Sequence, residues 1–277
     1  MSRWLSILPP HAHKYAIDSA YLGDDTTLAW RNLGYWDANT QDYSQACRQL
    51  ADHLAQAVQL KASDQVLDLG CGQGASLQHW QQVYAVTSLS AVELQQSCIT
   101  QIQQHLSPCP SLYTGDFYQL ADLQLAQVFD VVLCIDAAYH APVERLLNAV
   151  RSVLKPQGRL GFHCLIWTEK FAQLSRLQQQ RYKYLLKAAD VNFYDLNTEV
   201  QLRQLLQQNC FDQIEVKDIS AAVLAGFADH VQRLAPPRWQ QRMTFDYAKI
   251  AMTAKLCRYL YQDGVLRYVQ VSAQELN

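Results

Sequence analysis

Val66-Leu67-Asp68-Leu69-Gly70-Cys71-Gly72-Gln73-Gly74 runs from an apolar stretch through one acid into three glycines at alternate positions. The apolar part has the length and composition of a buried strand, and a helix is expected to open at Ala75. Between them lies a loop where a ligand can rest against bare backbone, because glycine takes positive φ and carries no Cβ to hold the ligand off. Free N–H groups at the start of the following helix suit an anionic group. A dinucleotide fingerprint, G-x-G-x-x-G, places its third glycine one position later than this chain does, so a pyrophosphate-binding turn is disfavoured.

Outward from this stretch the chain alternates strands with helices. Ser44 to Leu60 carries Leu50, Leu54, Ala57 and Val58 at helical spacing. Strand one is read over Gln65 to Leu69, a second over Tyr84 to Leu89, then a helix from Ala91 to His105 that Pro108 and Pro110 stop. Ser111-Leu112-Tyr113 reads as a brief third strand, Phe129 to Ile135 as a β-branched central one, and Arg159 to Ile166 as a fifth. A helix from Pro142 to Leu154 joins the last two. Residues 167–196 form a helical, aromatic-rich insertion with Phe171, Tyr182, Tyr184, Phe193 and Tyr194. Two readings of it stay open: a helix packed on the sheet edge, or a lid over a substrate. Thr198 is placed as an N-cap, Phe211 to Ile219 as a strand, Ala225 to Tyr261 as mostly helix and Leu266 to Val271 as the last strand. The fold class is α/β: a Rossmann-like, doubly wound sheet of seven mainly parallel strands with flanking helices, an N-terminal helical segment and a helical lid insertion. It is one domain over 1–277, divided into an N-terminal segment (1–60), a binding core (61–166), the insertion (167–196) and a sheet-completing part (197–277).

A chain of 277 residues buries a self-sufficient core, so neither disulfides nor a structural metal is required, and no metal site is expected. With 23 Lys and Arg against 25 Asp and Glu and no basic block, no electrostatic footprint for nucleic acid stands out. The eight cysteines are scattered without C-x-x-C pairs, as in a reduced cytoplasm. Met1 to Pro10 is too briefly apolar for a signal peptide, and no run approaches the length of a transmembrane helix. A cytoplasmic protein without an integral membrane segment is expected.

Val66 to Gly74 resembles the first motif of class I S-adenosylmethionine-dependent methyltransferases, V-L-D-[LIV]-G-C-G-x-G, at every fixed position. The resemblance extends to Lys155-Pro156-Gln157-Gly158-Arg159-Leu160, similar to K-P-G-G-x-L with one glycine replaced, and to Asn32-Leu33-Gly34-Tyr35-Trp36, similar to an N-x-G-Y-W segment preceding the core in small-molecule and lipid methyltransferases. It implies S-adenosylmethionine as cofactor, with Asp68, Gly70, Cys71, Gly72 and Gly74 in the cofactor loop and Tyr35 and Trp36 covering it. Gly115-Asp116-Phe117 looks like the family's adenine site. At the end of strand two the family usually places an acid on the ribose hydroxyls. The strand reading puts Ser88 and Leu89 there instead, with Glu93 assigned to the next helix. A hydroxyl cannot replace the two charge-assisted bonds of a carboxylate, so this is a departure from the pattern.

After strand four, Ile135-Asp136-Ala137-Ala138-Tyr139-His140-Ala141-Pro142 aligns with the part of the family that faces methyl donor and acceptor. Asp136 is a candidate for the cofactor, His140 for a general base and Tyr139 for shaping the acceptor pocket. The implied reaction is in-line methyl transfer to an O, N or C atom of a small-molecule or lipid-like acceptor, driven largely by proximity and exclusion of water. A cyclopropane-type lipid enzyme is the nearest variant, since it shares a neutral second-strand end and the aromatic N-terminal segment. The alternatives are a nucleic-acid methyltransferase, which would need a basic groove, and a non-catalytic S-adenosylmethionine or S-adenosylhomocysteine binder.

Overall fold

The structure, a computed structural model, describes residues 19–234 and 245–276. The readings of Met1 to Pro10 and of helix across 235–244 lie outside the described residues. Asp42 caps α1 (Tyr43–Ala57) by accepting from the Gln45 N–H, and Ala46, Leu50, Ala51 and Leu54 form its buried stripe. The chain then alternates through β1 (Gln65–Leu69), α2 (Ala75–Gln82), β2 (Ser88–Glu93), α3 (Gln96–His105), β3 (Ser111–Thr114), β4 (Phe129–Cys134), α4 (Val143–Arg151) and β5 (Leu154–Trp167). After the insertion with α5 (Arg176–Ala188) come a two-residue β6 (Asn197–Thr198), α6 (Glu199–Gln208), β7 (Phe211–Asp218), α7 (Gly226–Arg233), α8 (Phe245–Asp263) and β8 (Leu266–Glu275).

The sheet order is β3-β2-β1-β4-β5-β8-β7, with β6 beside β5. Strands β1 to β5 are parallel, and β8 runs antiparallel between β5 and β7. Successive residues of a strand face opposite layers. Val66, Val131 and Leu133 pack with α1, α2, α7 and α8, while Leu67, Val132 and Cys134 pack with α4 and α6. Both faces are therefore covered, as the continuous apolar strands require. Strand order reverses between β1 and β4, which places a ligand crevice beyond their carboxyl ends. Among the described residues no helix is long and apolar enough to cross a membrane.

Strand two corrects the reading from sequence. It begins at Ser88 and ends at Glu93, so Ser88 and Leu89 sit at the end of the sheet opposite the crevice. Parallel pairing sets this register: Gln65 faces Ser88, Leu69 faces Val92, and the Gly70 N–H donates to the Val92 carbonyl at 2.8 Å. The β-like Tyr84-Ala85-Val86 is a loop with Ala85 at φ 53°, in which the Val86 N–H donates to Trp80. Five residues of strand, roughly 16 Å, separate Ser88 from Glu93. The helix expected from Ala91 starts instead at Gln96. Lys155 to Gly158, the start of the K-P-G-G-x-L-like stretch, lies within the long β5.

The insertion packs on the end of β5. Trp167 stacks on Phe171 at 4.4 Å and meets Phe193 at 5.0 Å, and Tyr182 and Leu186 of α5 are buried beneath. Its outer side carries Leu177, Tyr184 and Tyr194, all exposed.

Candidate active site

Four strand ends meet at the crevice. The loop after β1 holds Gly70, Gly72 and Gly74 at φ 72°, 55° and 91°, all in the region that disfavours a side chain. The three have different neighbours. A Cβ on Gly74 would lie 2.6 Å from Ile102 of α3, and one on Gly70 would lie 3.3 Å from Ala137 and 3.4 Å from Phe117. A Cβ on Gly72 would meet nothing within 4 Å. Gly74 is thus required by helix packing and Gly70 by the neighbouring strand ends, while Gly72 presents its bare face to open space. Cys71 is buried, and burial first, then Asp68 and Glu93, pushes its thiol well up, so it stays protonated and unreactive.

Glu93, at the end of β2, braces this loop. Its Oε2 accepts from the Gly72 N–H and its Oε1 from the Gln95 N–H, both at 2.9 Å. Its backbone carbonyl accepts from the Gly115 N–H at 3.0 Å, which ties the β3 turn to the same point. A carboxylate has about four lone-pair sites, so two such bonds leave Glu93 able to accept two more. An acid therefore does stand at the end of strand two, and the apparent departure at Ser88 is withdrawn. The neutral strand end offered as a link to cyclopropane-type enzymes is withdrawn with it.

Asp116 caps the turn after β3 by accepting from the Tyr118 N–H at 2.9 Å and faces Arg145 at 3.6 Å. Phe117 reaches back against Gly70. Asp68 is buried: its Oδ2 accepts from Trp80 Nε1 of α2 at 2.7 Å, and burial lifts its pKa to about 6 against the pull of Trp80 and Ser76. It anchors helix α2 to strand β1 under the loop.

The end of β4 has a different architecture. Asp136 takes φ 54°, a strained value for a non-glycine residue. Its Oδ1 accepts from Tyr139 Oη at 2.8 Å and from Tyr268 Oη at 2.7 Å, and its Oδ2 accepts from the Leu33 N–H at 2.9 Å. Burial raises its pKa to about 6, against these three donors. Burial and the same carboxylate raise both tyrosines well above their ordinary value, so they remain donors. His140 Nδ1 lies 3.1 Å from the Asp190 carbonyl at the end of α5. A carbonyl only accepts, so Nδ1 donates to it, and in the neutral form of the ring this would place the lone pair on Nε2.

The structure thus brings Gly70, Gly72, Phe117, Asp136, Tyr139 and His140 to one edge of the sheet. Tyr35 and Trp36 are placed differently: Tyr35 packs on His53 of α1 at 4.1 Å, and Trp36 is buried, stacked on His230 of α7 at 4.2 Å with its indole donating to the Leu33 carbonyl. Tyr268 was missed from sequence, and no local signal marks a tyrosine 132 residues from its acid. Glu93 was within reach of a strand count made from the Gly70 loop. Among the described residues no group of three or more His, Cys, Asp and Glu could hold a metal ion.

A parallel sheet with this switch point, a glycine loop braced by a second-strand acid and a motif reading V-L-D-L-G-C-G-Q-G occur together here, and residues 66–158 match the family described as a methyltransferase domain. That stretch of the chain is similar to methyltransferase domains. Among relatives, the chain is 32% identical over 138 residues to a sterol 24-C-methyltransferase of Debaryomyces hansenii, covering 47% of this chain and 35% of that protein. It is 27% identical over 171 residues to the erythromycin 3''-O-methyltransferase of Saccharopolyspora erythraea, covering 59% and 55%. The chain therefore spans only about a third to a half of the length of these curated relatives. The structure of the cyclopropane synthase MmaA2 from Mycobacterium tuberculosis superposes with a TM-score of 0.75 at 14% identity, covering 95% of this chain and 96% of that one. At that identity the likeness concerns the fold.

Proposed function

We propose that this chain transfers the sulfonium methyl group of S-adenosylmethionine to a small-molecule or lipid-like acceptor. The observation that carries the reading is the Glu93–Gly72 hydrogen bond, which sets a carboxylate with spare acceptor capacity beside the open face of the glycine loop. The crevice fits the cofactor part by part. Asp116 and Phe117 suit an adenine, Glu93 the ribose hydroxyls, and Gly72 a chain lying on backbone.

When bound, S-adenosylmethionine supplies an electrophilic methyl group. The chain's own contribution is to hold the acceptor in line, exclude water and, for an acceptor that must lose a proton, take that proton on His140 Nε2. Tyr139 lies beside His140, their ring centres 4.7 Å apart. The insertion, residues 167–196, closes over the acceptor in this reading; its support is the contact of His140 with the end of α5. The sterol and macrolide relatives support an apolar or lipid-like acceptor and leave C- and O-methylation both open. A cytoplasmic location is supported by eight free cysteines, six of them buried.

Calorimetry with S-adenosylhomocysteine tests the reading. Wild type should bind, and Gly72→Val should lose more than tenfold in affinity, because it fills the open face while straining the loop by only about 1–2 kcal/mol. A folded Gly72→Val variant that binds as well as wild type would remove the glycine loop from the cofactor site.

A further inference from the structure

Helix α5 of the insertion has two unlike sides. Tyr182 and Leu186 are buried against the rest of the fold, while Leu177, Tyr184 and the nearby Tyr194 are 82%, 73% and 69% exposed. Leu177 and Tyr184 are two turns apart and share one line of the helix, on the side away from Tyr182 and Leu186. Tyr194 is tied to α5 through Lys183, whose Nζ donates to its hydroxyl at 3.2 Å and lies 4.9 Å from its ring centre.

The same helix is basic. Arg176, Arg181, Lys183 and Lys187 are all exposed, and α5 holds these four of the chain's 23 Lys and Arg but none of its 25 Asp and Glu. None of the four enters an ion pair among the described residues. Arg181 lies over the Tyr259 ring of α8 at 4.3 Å, which steadies the side chain without neutralising it. A chain with more acids than bases thus gathers positive charge, offset by no acid of α5, around exposed apolar side chains. Exposed apolar groups mark a contact surface, and cations set among them select an anionic partner. Nucleic acid would use the cations and leave Leu177 in water. A bilayer takes both, the charges at its headgroups and the leucine and tyrosine at its acyl boundary.

We infer that the outer face of α5 docks on an anionic phospholipid bilayer, with Leu177 and Tyr184 at the headgroup–acyl boundary and the four cations on lipid phosphates. Apolar burial and basic attraction together hold a surface helix on a membrane, and α5 offers both. Asp190, just beyond α5, meets His140 at 3.1 Å, so the docking helix leads directly to the contact with the candidate base. The inference concerns where the protein sits and does not rest on the methyl-donor reading.

Flotation of the full chain with phosphatidylcholine vesicles, with and without phosphatidylglycerol, tests it. Wild type should bind the mixed vesicles, bind pure phosphatidylcholine about tenfold or more weakly, and come off as salt is raised. Arg176→Gln with Lys187→Gln should weaken binding by about twenty- to thirtyfold, at about fivefold for each Lys or Arg near an anionic surface. Leu177→Ser with Tyr184→Ser should weaken it by about tenfold or more while keeping all four charges. All four positions are exposed, so thermal melts should match wild type and S-adenosylhomocysteine affinity should stay within about twofold. No binding to the mixed vesicles, equal binding to both compositions, or variants that bind as wild type does would overturn the inference. Polyuridylate binding tighter than vesicle binding would overturn it in favour of a nucleic-acid surface, and a dimer that Leu177→Ser dissolves would overturn it in favour of a contact between copies. A chain that binds mixed vesicles but not S-adenosylhomocysteine would overturn the methyl-donor reading alone.

Discussion

Glu93 and Asp136 are carboxylates at the ends of neighbouring parts of one crevice, yet their surroundings differ in kind. Glu93 accepts two backbone N–H groups from its own side of the sheet and keeps acceptor capacity for a ligand. Asp136 accepts from Tyr139, Tyr268 and Leu33, three donors that come from the loop after β4, from β8 and from the segment before α1. Its partners lie up to 132 residues away. The first arrangement leaves acceptor capacity unused. The second spends its charge on holding parts of the chain together, so an acid in a crevice is not by that fact a ligand-binding acid.

The comparison breaks most visibly at His140, which stands beside the Asp136 cluster and not beside Glu93. General-base assistance typically contributes about 10²–10⁴-fold, so His140→Ala should lower turnover by that factor with an acceptor that must deprotonate. Affinity for S-adenosylhomocysteine should stay near wild type. Retention of most of the turnover would leave proximity as the mechanism and His140 as a support for the end of α5.

Asp136→Ala leaves two tyrosine hydroxyls and one backbone N–H without their acceptor. A stability loss of about 2–4 kcal/mol is expected, at about 1–3 kcal/mol for each group left unsatisfied with partial relaxation. Thermal or urea melts measure it. A variant as stable as wild type that has lost cofactor affinity would make Asp136 a ligand-binding acid after all, and the contrast with Glu93 would disappear.

The same carboxylate sharpens the comparison through pH. Asp136 titrates at about 6 when folded against 3.8 in the reference state, so between about pH 4 and pH 6 the folded chain keeps a proton that the unfolded chain has released. Its contribution to stability is therefore present below pH 4 and is lost as pH rises through 6, by about 1.4 kcal/mol per pH unit. Asp136→Asn should flatten the stability profile by that share, with Asp68, also raised to about 6, keeping its own. An unchanged slope would mean that Asp136 is not desolvated as described.

The smallest expected effect concerns the insertion. Amides of α5 should exchange more slowly with S-adenosylhomocysteine or product bound, if this segment closes over the acceptor. Full protection in the free protein would make it plain core, as the buried Tyr182 and Leu186 already are.

Features that the sequence disclosed are those written over a few adjacent residues. The Val66 to Gly74 loop carries its strand, its turns and its helix start in nine letters, and Thr198 with Gln201 forms the capping box that a Thr-x-x-Gln spacing implies. Strand two was misplaced because Tyr84-Ala85-Val86 and Ala91-Val92-Glu93 have similar local propensity, and the register that decides between them comes from pairing with β1. Tyr268 was illegible for a related reason. Its role depends on which distant segment the fold lays beside it, here Asp136.

The central claim is that the acid at the end of β2, and not the hydroxyl at its start, serves the cofactor. Calorimetric titration of S-adenosylhomocysteine into Glu93→Ala and Ser88→Ala, side by side with wild type, tests it most directly. The account predicts a loss of about ten- to a hundredfold for Glu93→Ala, as for a hydrogen bond to a charged group, and no more than about twofold for Ser88→Ala, some 16 Å away along the strand. A larger loss at Ser88 than at Glu93 would contradict it.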